Sequence, residues 1–156
     1  MRKIIRLSVS ILIPLLIGFT SSFFTVTGVG SWYKTINLPS WNPPSWVFGP
    51  VWTTLYILMG ISFYLIWISN ADQRLKKIAV ALFFIQLVLN FFWSFIFFNL
   101  HSPGLAFAEI LILWAAIFFT IIVFAGISKK AAWLLVPYIG WVSFASVLNY
   151  TIWMLN

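Results

Sequence analysis

Few side chains in this sequence can do acid, base or metal chemistry. Its 156 residues hold one His (His101), two acids (Asp72 and Glu109) and no Cys. A disulfide framework, a thiolate metal site and a Cys nucleophile are therefore excluded. One histidine per chain cannot supply the two axial ligands of a membrane cytochrome, so His101 is either a single axial ligand or a plain loop residue. No Gly-rich phosphate loop is present, and no Ser-His-Asp set has a supporting spacing. Glu109 lies in an apolar stretch, less than two turns after Pro103. An ionisable group at such a depth is a functional candidate. The alternative is an interfacial carboxylate held by a helix N-terminus and water. No second acid lies in an apolar stretch, which argues against a paired-carboxylate mechanism.

Amides and indoles offer more. Gln86, Asn90, Trp93 and Phe97 follow one another at helical spacing and share a face. Amides buried in lipid face other helices or a cavity, so this face is interhelical glue or a ligand wall. Trp52, Tyr56, Met59 and Phe63 form a second stripe, and Trp141, Ala145, Leu148 and Asn149 a third. Among the 10 Trp residues, Trp32, Trp133 and Trp153 read as interfacial belt residues, whereas Trp52, Trp93 and Trp141 lie deeper in apolar runs. Aromatic stripes of this kind commonly serve packing. Three helices presenting Trp beside amides would also build a flat, mostly apolar slot with a few polar fixing points, suited to a planar lipophilic ligand.

The elements that position these residues must be transmembrane helices. The chain is 63% hydrophobic and 7% charged, against roughly a quarter charged in a soluble domain. Apolar runs cover residues 4–25, 48–68, 78–99, 105–127 and 132–155. Each is close to the roughly 20 residues that carry a helix across the bilayer. They lack the alternation of spanning strands, and only helices and closed barrels satisfy their backbone in lipid. The expected fold is an all-α integral membrane protein, a five-helix transmembrane bundle in one domain over 1–156. Three links are short, so successive helices should be antiparallel neighbours. The first link, 26–47, is long and contains Gly28, Gly30, Pro39, Pro43 and Pro44. It should be an irregular loop, with room for one short helix. Pro137 should kink or loosen the last helix near Trp141.

Charge sets an orientation. Arg2, Lys3, Arg6, Arg74, Lys76, Lys77, Lys129 and Lys130 fall on one side of five crossings, and Lys34 alone on the other. The positive-inside rule places the N-terminus in the cytoplasm and the C-terminus outside. The net charge of +7 is thus spread over membrane-flanking segments, and no nucleic-acid module is recognisable. The basic N-terminus, apolar stretch and Ser21-Ser22 have the outline of a signal peptide. The apolar run continues through Phe23, Phe24 and Val26, and removing it would spoil the charge asymmetry, so a retained helix is expected.

One stretch is distinctive: Trp32-Tyr33, then Leu38-Pro39-Ser40-Trp41-Asn42-Pro43-Pro44-Ser45-Trp46-Val47-Phe48-Gly49-Pro50-Val51-Trp52-Thr53-Thr54-Leu55-Tyr56. It resembles the signature of the translocator protein family, TspO/MBR, also called tryptophan-rich sensory proteins or peripheral benzodiazepine receptors. Two further stretches match in order: Gln86-Leu87-Val88-Leu89-Asn90-Phe91-Phe92-Trp93, and Pro137-Tyr138-Ile139-Gly140-Trp141 followed by Leu148-Asn149-Tyr150. The resemblance implies a five-helix bundle, often a homodimer. It implies a pocket near one end, closed by the long first loop, that binds porphyrins and benzodiazepine-type or isoquinoline carboxamide ligands. Carried over residue by residue, the pocket comprises Tyr33 and Pro43 from the loop, Trp52, then Asn90 and Trp93, and finally Trp141, Ala145 and Leu148. Trp52 and Trp141 match the tryptophans that the family links to light-dependent porphyrin breakdown. The resemblance implies no required cofactor; a porphyrin such as protoporphyrin IX, or a haem-type tetrapyrrole, would be ligand or substrate.

One departure concerns the family's cholesterol motif, which needs a basic residue shortly after a Tyr on the last helix. Tyr150 is followed by Thr151, Ile152, Trp153, Met154, Leu155 and Asn156. This argues against strong sterol recognition and, with the orientation, favours a member from a bacterial plasma membrane. Three functions compete: a porphyrin sensor that promotes photodegradation, a transporter of porphyrins or other lipophilic molecules, and a passive protein whose Trp residues pack. Few charges in the spans and no evident inverted repeat weigh against transport. Small-residue pairs such as Gly18 with Ser22 and Gly104 with Ala108 could serve a dimer or packing within one chain.

Overall fold

The computed structural model describes residues 2–26 and 30–156; Gly28 of the long link lies outside the described residues. The helices are α1 (Arg2–Ser22), α2 (Ser45–Trp67), α3 (Gln73–Ser94), α4 (Pro103–Ile127), α5 (Lys129–Leu134) and α6 (Val136–Leu155). A π-helical turn, Phe95–Asn99, continues α3, and a single 3-10 turn, Trp32–Lys34, interrupts the long link. No strand occurs among the described residues. Counting α5 and α6 as one segment, five segments are long and apolar enough to cross a membrane. The protein is an all-α, multi-pass membrane protein.

Several helix ends differ from the apolar runs. α3 starts at Gln73 rather than 78 because the Asp72 carboxylate accepts from the N–H groups of Arg74 (2.8 Å) and Leu75 (3.1 Å). This N-cap starts a polar first turn that hydropathy does not register. α1 ends at Ser22 rather than 25. There the hydroxyls of Thr20, Ser22 and Thr25 donate to carbonyls of the last turns, competing with helix continuation. The last span breaks at Leu135 rather than near Trp141. Pro137 follows closely, and the proline disfavours helical geometry in the residues before it, so the interruption falls on its N-terminal side.

α1 packs on α2, and α4 lies between α3 and α6. The α1–α2 contact depends on Gly60: a methyl there would meet the backbone of Ser10 and Ile11. Gly18 sits against the Tyr56 ring and Gly104 against Trp153. Both glycines are thus used within the chain. The Ser62 hydroxyl donates to the Ala131 carbonyl at 2.7 Å, joining α2 to α5. Toward the basic end the core stacks Phe63 on Phe83 at 4.5 Å and Phe83 on Phe124 at 6.2 Å. A second buried cluster, containing Tyr33, Phe97, Phe98, Leu148 and Ile152, fills the opposite end. Ile112, Phe119 and Leu105 are exposed, as lipid-facing side chains are.

Candidate ligand slot and its lid

The start of α2, the end of α3 and residues 141–152 of α6 meet at the end of the bundle away from the basic residues. Between them lies a narrow slot lined by Trp52 from α2, Trp93 from α3, Trp141, Ala145 and Leu148 from α6, and Tyr33 from the loop above. Its cavity volume is about 20 Å³, room for a single water. Eight of its twelve lining residues are aromatic. Trp93 stacks on Phe97 at 5.5 Å, Phe48 meets Trp141 edge-on at 6.2 Å, and Trp141 leans on Phe144 at 5.3 Å.

Two of the eight positions expected at the pocket stand back from it. Asn90 lies deeper on α3, 1% exposed. Its Oδ1 accepts from the Tyr56 hydroxyl at 2.6 Å, and its Nδ2 donates to the Tyr138 hydroxyl at 3.2 Å. Between the two readings of this face, Asn90 serves as interhelical glue in the closed form. Pro43 belongs to the lid: the Tyr33 hydroxyl donates to Asn42 Oδ1 at 2.6 Å, and Asn42 Nδ2 donates to the Pro43 carbonyl at 3.1 Å. Burial pushes the Tyr33 phenol up to about 12, with the Asn42 bond a smaller opposing effect. The phenol therefore stays a neutral donor across the physiological range.

The lid is fastened at two further points. Trp32 stacks on His101 at 4.5 Å, with the rings 18° apart. This makes Trp32 part of the lid and His101 its support, held in a left-handed turn with φ of 52°. Asn37 exchanges hydrogen bonds with the end of α6: its N–H donates to Asn156 Oδ1 at 2.9 Å, and Asn156 Nδ2 donates to its carbonyl at 3.0 Å. Below the lid, Trp93 Nε1 donates to Asn149 Oδ1 at 3.0 Å, and Asn149 Nδ2 donates to the Pro103 carbonyl at 2.7 Å. That chain of bonds fixes the Trp93 plane across α3, α4 and α6.

The slot also contains Phe48, Phe98, Phe144 and Ile152, which sequence reasoning left unassigned to it. Phe98 is the instructive case. The π-helical turn bonds the Leu100 N–H to the Phe95 carbonyl at 3.1 Å, changing the angular step between residues. Phe97 and Phe98 are both buried, with ring centroids 4.8 Å apart. Glu109 takes no part in the slot. Its two carboxylate oxygens are buried and meet no hydrogen-bond partner among the described residues, as is true of both polar atoms of the Gln86 amide. It is therefore not a water-facing interfacial carboxylate.

Comparison with known proteins gives the family. The TspO/MBR family model matches residues 10–154. The chain belongs to the TspO/MBR family. It is 46% identical to the tryptophan-rich protein TspO of Archaeoglobus fulgidus over 99% of both chains. It is 44% identical to the protein of that name from Chlorobaculum tepidum, over 99% of this chain and 98% of the other. It is 40% identical to the translocator protein of Homo sapiens, over 93% of this chain and 86% of the other. In this TspO/MBR chain, the Trp-rich loop and three helices of the signature converge on one slot.

Proposed function

We propose that this protein is a membrane receptor for porphyrins, including protoporphyrin IX and haem-type tetrapyrroles, and for benzodiazepine-type ligands. We further propose that Trp52 and Trp141 support light-dependent breakdown of a bound porphyrin. The observation that carries the reading is the convergence of six inherited positions, Tyr33, Trp52, Trp93, Trp141, Ala145 and Leu148, on one aromatic slot under a loop. Flat indole and phenyl walls suit a planar macrocycle. Because the slot holds about 20 Å³ when closed, a ligand must lift the lid and part the rings. The lid fastenings are individually weak enough for this: each exchangeable hydrogen bond at Asn37 and Asn42 is worth about 0.5–1.5 kcal/mol, and the stack on His101 about 0.5–1.5 kcal/mol. Lys34, exposed on the lid, offers a cation to a propionate. Trp52 and Trp141 would lie against the ring, where the photoexcited porphyrin can take an electron from an indole and pass it to dioxygen as superoxide. The indole radical cation then regains an electron from the ring, and the oxidised ring combines with superoxide, so that dioxygen is the net oxidant and the porphyrin is what is oxidised.

The test is illumination of the protoporphyrin complex of wild type and of the Trp52→Phe/Trp141→Phe variant. Both should bind in darkness, and loss of the porphyrin spectrum under light should be slow in the variant. Equal rates would remove the photochemical half of the reading. Transport is the second reading. It is favoured by a groove of about 600 Å³ between α1 and α2 that shares Phe48 and Trp52 with the slot. Protein-dependent porphyrin flux into sealed proteoliposomes would support it. The charge asymmetry supports a bacterial plasma-membrane setting with the basic end in the cytoplasm. Homodimerisation rests on the family resemblance.

A further inference from the structure

At the end of the bundle opposite the slot, α1 and α3 diverge. They touch at the slot end, where Phe24 of the α1 tail meets Phe91 and Phe95 edge-on at 5.8 and 5.3 Å. Toward the basic end they part, leaving a wedge of about 1020 Å³ with α2 as its floor. This is at the upper end of the range for small-molecule sites. Its walls are apolar, with Val9 and Ile13 from α1, Phe63 from α2, and Val80, Ala81 and Phe84 from α3. Its rim is cationic, with Arg6, Lys76 and Lys77. Two of the three cations are placed by contacts of their own. The Arg6 guanidinium lies over the Trp67 ring at 5.9 Å. Lys76 Nζ donates to the carbonyls of Trp67 (3.1 Å) and Ser69 (2.6 Å), which leaves one of its three donors free. The acid nearest in sequence, Asp72, spends its carboxylate on the α3 N-cap.

We propose that this wedge is a binding site for one anionic phospholipid from the leaflet at the basic end. Its phosphate sits on Arg6, Lys76 and Lys77, and an acyl chain runs down the apolar wall between α1 and α3. A basic pocket between transmembrane helices, at headgroup depth and open to lipid, has the chemistry to recognise such a headgroup. A free inorganic anion would use the rim and leave the apolar wall bare. A second copy of the chain is a poor occupant, because a twofold contact through this face would bring two sets of the same cations together.

Native mass spectrometry of the detergent-solubilised full chain tests the site, with phosphatidylglycerol and phosphatidylcholine of matched chains added in turn. Wild type should retain phosphatidylglycerol in preference to phosphatidylcholine, and inorganic phosphate should not displace it. In the Arg6→Gln/Lys77→Gln variant the preference should fall by about fivefold for each cation removed. Ala81→Trp, which fills the wedge without changing charge, should lose both lipids. An unchanged preference in the charge variant, equal lipid retention in Ala81→Trp, or a dimer that carries no lipid would each overturn the proposal.

Discussion

The single residue that best shows how this protein divides its polar groups is Asn90. In a span with few hydrogen-bonding side chains, its amide joins the phenols of Tyr56 and Tyr138, tying α2 and α6 to α3. Asn90→Leu keeps the volume and orphans both phenols. Leaving buried donors unsatisfied should cost about 1–3 kcal/mol, seen as a lower unfolding temperature in detergent with modest loss of porphyrin affinity. A large affinity loss at unchanged stability would instead place the amide against the ligand. Spacing alone brought Asn90, Trp93 and Phe97 to one face but left glue and cavity wall equally open. The tertiary partners decide, and they come from helices 34 and 48 residues away. Trp93 went the other way, to the slot, because Asn149 fixes its indole N–H.

At the scale of elements, the apolar runs located all five spans, because length and hydropathy are the properties that lipid imposes. Their ends were less legible. The Asp72 cap extends α3 into polar sequence, and hydroxyl-to-carbonyl bonds shorten α1. The π-helical turn that buries Phe98 beside Phe97 has no periodic signal of its own. Helix contacts were half legible: small-residue pairs at four-residue spacing, Gly18 with Ser22 and Gly104 with Ala108, announced a close approach, though not its partner. Gly60 decides the α1–α2 interface, where a Cβ would meet helix backbone rather than a side chain that can move. Overpacking there costs about 1–3 kcal/mol, more than the roughly 1 kcal/mol that Ala offers over Gly in a helix. Gly60→Ala should therefore lower the unfolding temperature. Gly140→Ala, which faces open space on α6, should not. The reverse order would mean that α1 does not pack on α2 as described.

For the whole molecule, charge and aromatic chemistry occupy opposite ends. The basic residues flank the wedge and the α4–α5 link, and the slot with its lid lies at the other end. With no native Cys, single cysteines report sidedness cleanly. In intact cells Ser40→Cys on the lid should react with a membrane-impermeant maleimide, and Asn70→Cys only after permeabilisation; the opposite pattern would invert the orientation. The slot residues were largely legible because they sit in a Trp- and Pro-rich signature. That the long first loop closes it followed from the resemblance; the contacts that hold the loop there were not legible, since they need the lid to meet His101 and Asn156 across the chain. The proposed receptor function depends most on that closed slot being where a planar ligand goes. The most direct test is a protoporphyrin IX titration in darkness, followed by quenching of Trp fluorescence, for wild type and for Ala145→Phe, which fills the slot with a ring. Saturable quenching is expected in wild type and its loss in the variant; because a ring overfills a closed slot of about 20 Å³, the free variant should unfold at a lower temperature while keeping its helical circular dichroism. Equal saturable binding in both would contradict that function for the slot and place the ligand elsewhere on the bundle.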